Sequence, residues 1–232
     1  MLWYKGWLET RFRVLFLLVI VLPTIGFVLR HIDPPLSHAD AEGLLNALTF
    51  LLLLIPLMLA GAGIKTERIL FETAKGLHGS QYFTLSLPVS RARLLATRAG
   101  LGMLETVGVF AVASCVAWFI FPVPRAYLTV SGLFAHWVTV SICMSAFYFL
   151  TVLLAAFSGD QEEIGVSVIL ILILHLLSKT VSVPPSLNIF RAMGASSPLL
   201  THTLPWGSMG VSLVASAILF LAAMRVVQTC EY

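Results

Sequence analysis

Six predominantly apolar runs alternate with shorter polar segments along the chain. A helix that crosses the roughly 30 Å hydrocarbon core of a bilayer needs about 20 such residues. Because a helix satisfies its backbone hydrogen bonds internally, the pattern predicts an all-α polytopic membrane protein in a single transmembrane domain. The predicted spans cover residues 14–29, 44–64, 99–121, 127–157, 164–181 and 209–227.

Residues 1–13 combine aromatic and basic side chains ahead of the first span. Trp3 and Trp7 stand among Lys5, Arg11 and Arg13. This mixture is typical of a short helix in the membrane interface. The alternative is a tail that leads directly into the first span.

The segment before the last span, residues 182–208, is neither a simple loop nor a span. Four prolines interrupt it, yet it also carries large apolar side chains such as Phe190 and Trp206. We expect a broken, partly re-entrant outer segment whose irregular backbone is covered by protein. The competing interpretation is a loop packed on the outer surface.

Composition supports a membrane protein and narrows the chemistry. Of the 232 residues, 59% are hydrophobic and 11% charged, with a mean hydropathy of +0.96, whereas a soluble protein is about 25% charged. The three cysteines lack CxxC or metal-ligand spacing and are predicted to be small buried hydrophobic side chains. No nucleotide-binding motif occurs. We therefore predict no cofactor, metal or catalytic site in this chain, and no nucleic-acid partner.

The basic residues are distributed unevenly between the two sides of the predicted membrane. Ten of the fourteen lie in the N-terminal segment, in the loop 65–98 or near the C-terminus. Positively charged segments stay in the cytoplasm. The sequence thus predicts a multi-pass protein of the cell membrane, specifically a bacterial cytoplasmic membrane, with both termini and the loop 65–98 in the cytoplasm.

Glu105 is the acid well inside an apolar run, and Arg98 precedes it by seven residues on the same helical face. A carboxyl group inside a membrane is costly and is a functional candidate by default. A structural role is an equal alternative. His136 and His175 also lie in predicted spans, so a membrane-embedded enzyme that uses Glu105, His136 or His175 is the second functional hypothesis.

The cytoplasmic loop contains a short motif between the second and third spans. An acid, Glu67 or Glu72, precedes Gly79 and Ser80, and a Leu-Ser-Leu-Pro-Val-Ser-Arg turn ends at Arg91 before further basic residues up to Arg98. In this motif and in its whole topology, the chain resembles the membrane (permease) subunit of type 2 ABC transporters, the ABC exporter permease family. The stretch 69–78 is longer than the family's usual spacing.

The resemblance implies that residues 79–87 form a coupling helix that binds a separate ATPase subunit. Aromatic side chains are frequent anchors at such interfaces, and Pro88 would end the helix because proline disfavours helical geometry in the residue before it. The implied contact residues are Gly79, Ser80, Tyr82, Phe83, Leu85, Pro88 and Arg91. A surface loop with basic anchors is the alternative.

The family implies a non-catalytic exporter subunit with ATP and Mg on its partner. The implied partners are two copies of an ABC ATPase subunit, a second permease chain that is identical or related, and membrane lipid. The scarcity of charges within the spans favours a hydrophobic or amphipathic substrate. A structural membrane scaffold is the third hypothesis.

Overall fold

The computed structural model describes residues 2–30, 38–60, 90–120, 129–157 and 160–229, and these contain helices and no strand. Two short helices separate the fifth long helix from the last. The helices are α1 (Leu2–Arg30), α2 (His38–Ala60), α3 (Arg91–Ile120), α4 (Val130–Phe157), α5 (Asp160–Thr180), α6 (Ile189–Met193), α7 (Pro198–Thr201) and α8 (Trp206–Thr229).

Five helices are long and apolar enough to cross a membrane, namely α1, α2, α3, α4 and α8. The fifth long helix, α5, has a shorter apolar stretch, Gly165–Thr180. The predicted all-α polytopic membrane protein is therefore confirmed at this level.

The predicted interfacial segment and first span form one continuous helix. No helix end separates residues 2–13 from residues 14–29 along α1, and Pro23 lies inside it. The helix continues across this boundary because residues 7–22 include no glycine or proline that would favour a break. The aromatic side chains of Trp3, Tyr4 and Trp7 are exposed on the first turns.

Contacts between named atoms establish the directions of the central helices. The Tyr148 hydroxyl of α4 donates to the Ala99 carbonyl of α3 at 2.9 Å, while the Phe110 and His136 rings meet edge-on at 6.3 Å. Residue numbers rise along α3 as they fall along α4, so these helices are antiparallel.

Two other pairs run parallel. Trp3 of α1 approaches Gly100 of α3, and Thr10 donates to Glu105 one to two turns further along. The α4–α8 pair is held by a 2.7 Å hydrogen bond between the Ser145 and Ser216 hydroxyls. Thr139 and Met209 touch earlier along the same two helices, so their order is also the same.

These directions place the start of α1 and the end of α8 at one end of the bundle. The start of α3 and the end of α4 lie there too. The end of α2 joins them, because the Arg13 guanidinium of α1 donates to the Met58 carbonyl at 3.3 Å. We call this the terminal end, and the opposite one the far end.

The buried core has two parts. The larger cluster joins α1, α2, α3 and α4 with the buried residues Ala192 and Met193 of α6. The smaller one surrounds Tyr148 at the terminal end, where Leu95, Ala99 and Ala223 contribute. Large apolar side chains also cover the outer faces of the long helices, as is required of surfaces in contact with lipid.

The broken segment before α8 is attached to the far end of the bundle. The Thr49 hydroxyl of α2 donates to the Met193 carbonyl at 3.3 Å, and the Asn188 side-chain amide donates to the Ser178 carbonyl at the same distance. Asn188 and Ser197 cap α6 and α7 respectively by accepting backbone N–H bonds. These bonds satisfy part of the polar groups of this irregular backbone within the protein.

Candidate functional site

The predicted ATPase contact lies outside the described residues. This applies to Gly79, Ser80, Tyr82, Phe83, Leu85 and Pro88. Arg91 is the first residue of α3, and its side chain also lies outside the described part. The helix start itself is well defined, because the Ser90 hydroxyl accepts the Arg93 N–H at 3.3 Å in an N-cap arrangement.

Glu105 is buried at the middle of the 30-residue helix α3. The hydroxyl of Thr10, itself 5% exposed, donates to Oε1 of Glu105. Oε2 is buried with no hydrogen-bond partner among the described residues. Because buried polar atoms are normally paired, this half-satisfied carboxyl group is the feature of the described structure that most needs a functional explanation.

The Thr10–Glu105 contact belongs to a layer of polar contacts that crosses four helices. Arg13 reaches the Met58 carbonyl in this layer, and the Tyr148 hydroxyl reaches Ala99. We call this the polar layer and define it by Thr10, Arg13, Met58, Ala99, Glu105 and Tyr148. It ties α1, α2, α3 and α4 together near the terminal end.

A glycine makes the close approach in this layer possible. A Cβ atom on Gly102 would overlap the Tyr148 hydroxyl and lie 3.1 Å from the Leu59 carbonyl oxygen. Gly102 therefore allows α2, α3 and α4 to approach closely, as small residues do between membrane helices. Arg98 lies on the same helix one turn before Gly102 and is half-buried.

The two histidines lie apart from the contact of Glu105 with α1. His136 Nδ1 and the Ser197 hydroxyl are 2.7 Å apart at the far end, and both residues are buried. The His175 ring packs edge-on against Phe190 at 4.9 Å. Glu105 contacts α1, His136 contacts the residue that caps α7, and His175 contacts α6, so these contacts do not assemble one site.

Metal and thiol chemistry have no assembled site in the described part of the chain. Within it, no group of three or more His, Cys, Asp or Glu residues could hold a metal ion. Cys143 is buried, as the sequence predicts, whereas Cys115 is exposed. The prediction of burial is wrong for Cys115, because this face of α3 is covered by no helix in the described part of the chain.

Sequence reasoning identified Glu105 and missed its partner Thr10. Thr10 belongs to the segment predicted to lie in the interface, so nothing placed it beside a span. Ser197 was missed as the partner of His136. Its signal is the Ser-Ser-Pro sequence at 196–198, since serine before a proline at the first helical position is a common helix start.

We predict that Ser197→Ala loosens the far-end segment. The change removes the N-cap of α7 and the bond to His136, and leaves the buried His136 nitrogen without this partner. We expect the free energy of unfolding to fall by about 2 kcal/mol, measured by denaturant titration in mixed micelles.

The neighbouring Ser196→Ala is the matched control for that measurement. Its hydroxyl accepts only an exposed bond from Arg191 at 3.2 Å, so a change within about 0.5 kcal/mol is expected. If Ser197→Ala and Ser196→Ala lowered the free energy of unfolding equally, the His136–Ser197 contact would contribute no more to stability than an exposed hydrogen bond.

The chain was compared with protein-family models, curated proteins and solved structures, and none of the three comparisons gives a match.

Proposed function

We propose that the chain is the transmembrane permease subunit of an ATP-driven ABC transporter of the exporter type. It has no catalytic site of its own, and two copies of a separate ATPase subunit supply ATP and Mg binding. A second permease chain, identical or related, completes the membrane pathway. The complex resides in the bacterial cytoplasmic membrane among membrane lipids, with the terminal end in the cytoplasm.

The observation that carries the proposal is the arrangement of helix ends. The end of α2 and the start of α3 lie at the terminal end, together with the start of α1 and the end of α8. The interval 61–89 between α2 and α3 contains the Gly79, Ser80 and Pro88 motif. A contact loop at this position enters α3 directly, which suits the transfer of movement from an ATPase to the spans.

The finer architecture forms part of the same proposal. We count α5 as the fifth of six spans, since its apolar stretch Gly165–Thr180 is only slightly short of a full span. The first turns of α1, with exposed Trp3, Tyr4 and Trp7, lie in the cytoplasmic interface. The far-end segment dips into the outer leaflet, a placement supported by the burial of Met193 and its bond to Thr49.

The proposed mechanism is a shift between two packings of the spans. ATP binding closes the ATPase subunits and displaces the coupling helix at 79–87. The displacement passes through the capped start of α3 into the bundle and biases it between two arrangements. A hydrophobic or amphipathic substrate crosses between the paired permease chains, and the far-end segment covers the outer side of that path.

The hypothesis of a membrane-embedded enzyme has less support. Its three residues Glu105, His136 and His175 make separate contacts with α1, α7 and α6. The Ser197–His136 pair resembles a nucleophile and its base, but the Ser197 hydroxyl also caps α7 and the residue is 0% exposed. A substrate would have no access to it in this arrangement.

The proposal is tested by purifying the tagged chain in mild detergent and identifying what accompanies it. We expect a protein that hydrolyses ATP to co-purify at one copy per permease chain. The combined change Tyr82→Ala, Phe83→Ala and Leu85→Ala removes the predicted anchors, and should reduce its recovery at least tenfold, since interface anchors each contribute about 2 kcal/mol.

Trp206→Ala is the matched control, because Trp206 is an aromatic side chain 70% exposed at the far end. It should leave ATPase recovery unchanged. Absence of any ATPase with the wild-type chain would overturn the proposal. Equal recovery with the wild-type and triple variant would place the contact elsewhere than 79–87.

A further inference from the structure

The contact between α1 and α3 combines apolar packing with the buried Thr10–Glu105 hydrogen bond. Trp3 lies over Gly100, where an added Cβ would be at an ordinary contact distance of 3.5 Å from the ring. Two turns further along α1, Thr10 donates to Glu105. Beyond this point, Leu17 and Val21 enter the main core with Val109. The apolar packing is non-directional, whereas the hydrogen bond needs Thr10 opposite Glu105 and therefore specifies one register.

The half-satisfied Glu105 lies where two helices that also carry basic side chains meet. Arg13 lies on α1 and Arg98 on α3, the two helices that make the contact, and both are half-buried. Glu105 itself is only 8% exposed. The hydroxyl of Thr10 accounts for the placement of Oε1 at this contact.

We propose that the Thr10–Glu105 hydrogen bond fixes α1 to α3, so that α1 follows α3 whenever the 61–89 loop displaces it. The inference rests on the proposed function, in which that loop receives the movement. Glu105 is then a positioning residue: it acts through Thr10 and touches no substrate. Buried polar contacts can specify one arrangement of helices at a cost in stability, and the unpartnered Oε2 is that cost.

The contact also has a suitable location for this role. It lies midway along α3, so a displacement at Ser90 reaches Glu105 through an uninterrupted helix. No glycine or proline separates Trp7 from Thr10 and Arg13 on α1. The Thr10–Glu105 bond thus adds a defined polar contact to the apolar packing between two continuous helices.

The variants that test the proposal are Thr10→Val, which keeps the shape but loses the donor, and Thr10→Ser, which keeps the donor. Thr97→Val is the matched control, because the Thr97 hydroxyl donates only within α3, to Arg93 at 2.8 Å. Spin labels on the exposed positions Tyr4 and Leu104 report the distance between α1 and α3. Cys115, which is exposed, and Cys230, which lies outside the described residues, are replaced by serine so that they take no label.

The first measurement uses the assembled complex without nucleotide. Thr10→Val should raise the population of displaced α1–α3 distances about threefold, the factor for a loss of roughly 0.6 kcal/mol that is average for polar contacts between membrane helices. Thr10→Ser and Thr97→Val should match the wild-type protein. A Thr10→Val distribution identical to the wild type would overturn the proposal.

The second measurement adds a non-hydrolysable ATP analogue to the complex and uses Leu221 of α8, which is exposed, as the reference label. In the wild type, the Tyr4–Leu221 and Leu104–Leu221 distances should change together. In Thr10→Val only the Leu104–Leu221 distance should change fully. In Thr10→Ser the change in the Tyr4–Leu221 distance should be restored. A merely structural role would alter assembly without separating these two distances.

The outcomes also separate this proposal from the proposed function. If no ATPase associates with the chain, the permease proposal fails, while the nucleotide-free distances of the chain alone still decide whether Thr10 holds α1 on α3. If the ATPase associates and α1 moves independently of α3 in the wild type, the permease proposal stands and the Thr10–Glu105 proposal is overturned.

Discussion

Gly102→Val is expected to destabilise the bundle by about 3 kcal/mol. The first carbon of any side chain at this position would overlap the Tyr148 hydroxyl and crowd the Leu59 carbonyl. Neither neighbour moves easily, since Tyr148 is 0% exposed and Leu59 is 1% exposed in the packed interior. Relief of the overlap must break the Tyr148–Ala99 hydrogen bond or separate α3 from α2 and α4.

Gly108→Val is the matched control on the same helix. Gly108 is exposed, and a Cβ added there meets nothing within 4 Å. Valine is also a somewhat better helix former than glycine. We therefore expect the unfolding free energy in mixed micelles to change by less than about 0.5 kcal/mol. Equal destabilisation by the two variants would contradict the close packing of α2, α3 and α4 at Gly102.

Glu105→Leu is expected to raise the free energy of unfolding by about 1–3 kcal/mol, whereas Gly102→Val lowers it. The carboxyl group has one buried oxygen without a partner in the described structure, and leucine removes that desolvation cost at similar volume. Thr10 would retain a local acceptor, because its hydroxyl also lies 3.5 Å from the Trp7 carbonyl. The same denaturant titration in mixed micelles measures the effect.

Glu105→Gln provides the comparison, because it keeps an acceptor for Thr10 while leaving a polar side chain in the core. Its stability should remain closer to the wild type than that of Glu105→Leu. If Glu105→Leu instead destabilises the chain by several kcal/mol, the carboxyl group contributes more bonds than those made to Thr10. We expect the Glu105→Leu variant to be more stable than the wild type but to lose the coupled movement of α1 with α3. Such a gain in stability at the expense of function is common.

The apolar periodicity by itself determined that the chain folds into long membrane helices. The described helices α2, α3, α4, α5 and α8 each overlap a predicted span, since burial in lipid requires a continuous apolar helix. Four prolines among large apolar side chains likewise indicated the broken segment between α5 and α8. These features depend on the composition of one stretch of chain, so they can be predicted without knowing which helices pack against it.

Glu105 could be singled out from the sequence because one acid in an apolar run is conspicuous. Its partner could not, because Thr10 is 95 residues away and its position depends on α1 being continuous and parallel to α3. His136 and Ser197 are likewise brought together from 61 residues apart. Which helix faces which is decided by the combined packing of many apolar side chains, each of which fits several neighbours almost equally well.

The sequence thus determined the class of protein, the approximate spans and the candidate acid. Tertiary structure alone decided that α1 and α3 run side by side, that Gly102 admits the Tyr148 hydroxyl, and that the far-end segment attaches to α2, α4 and α5. The physical reason is that lipid makes each span helical independently, whereas the pairing of helices depends on close contacts and buried polar bonds between distant residues.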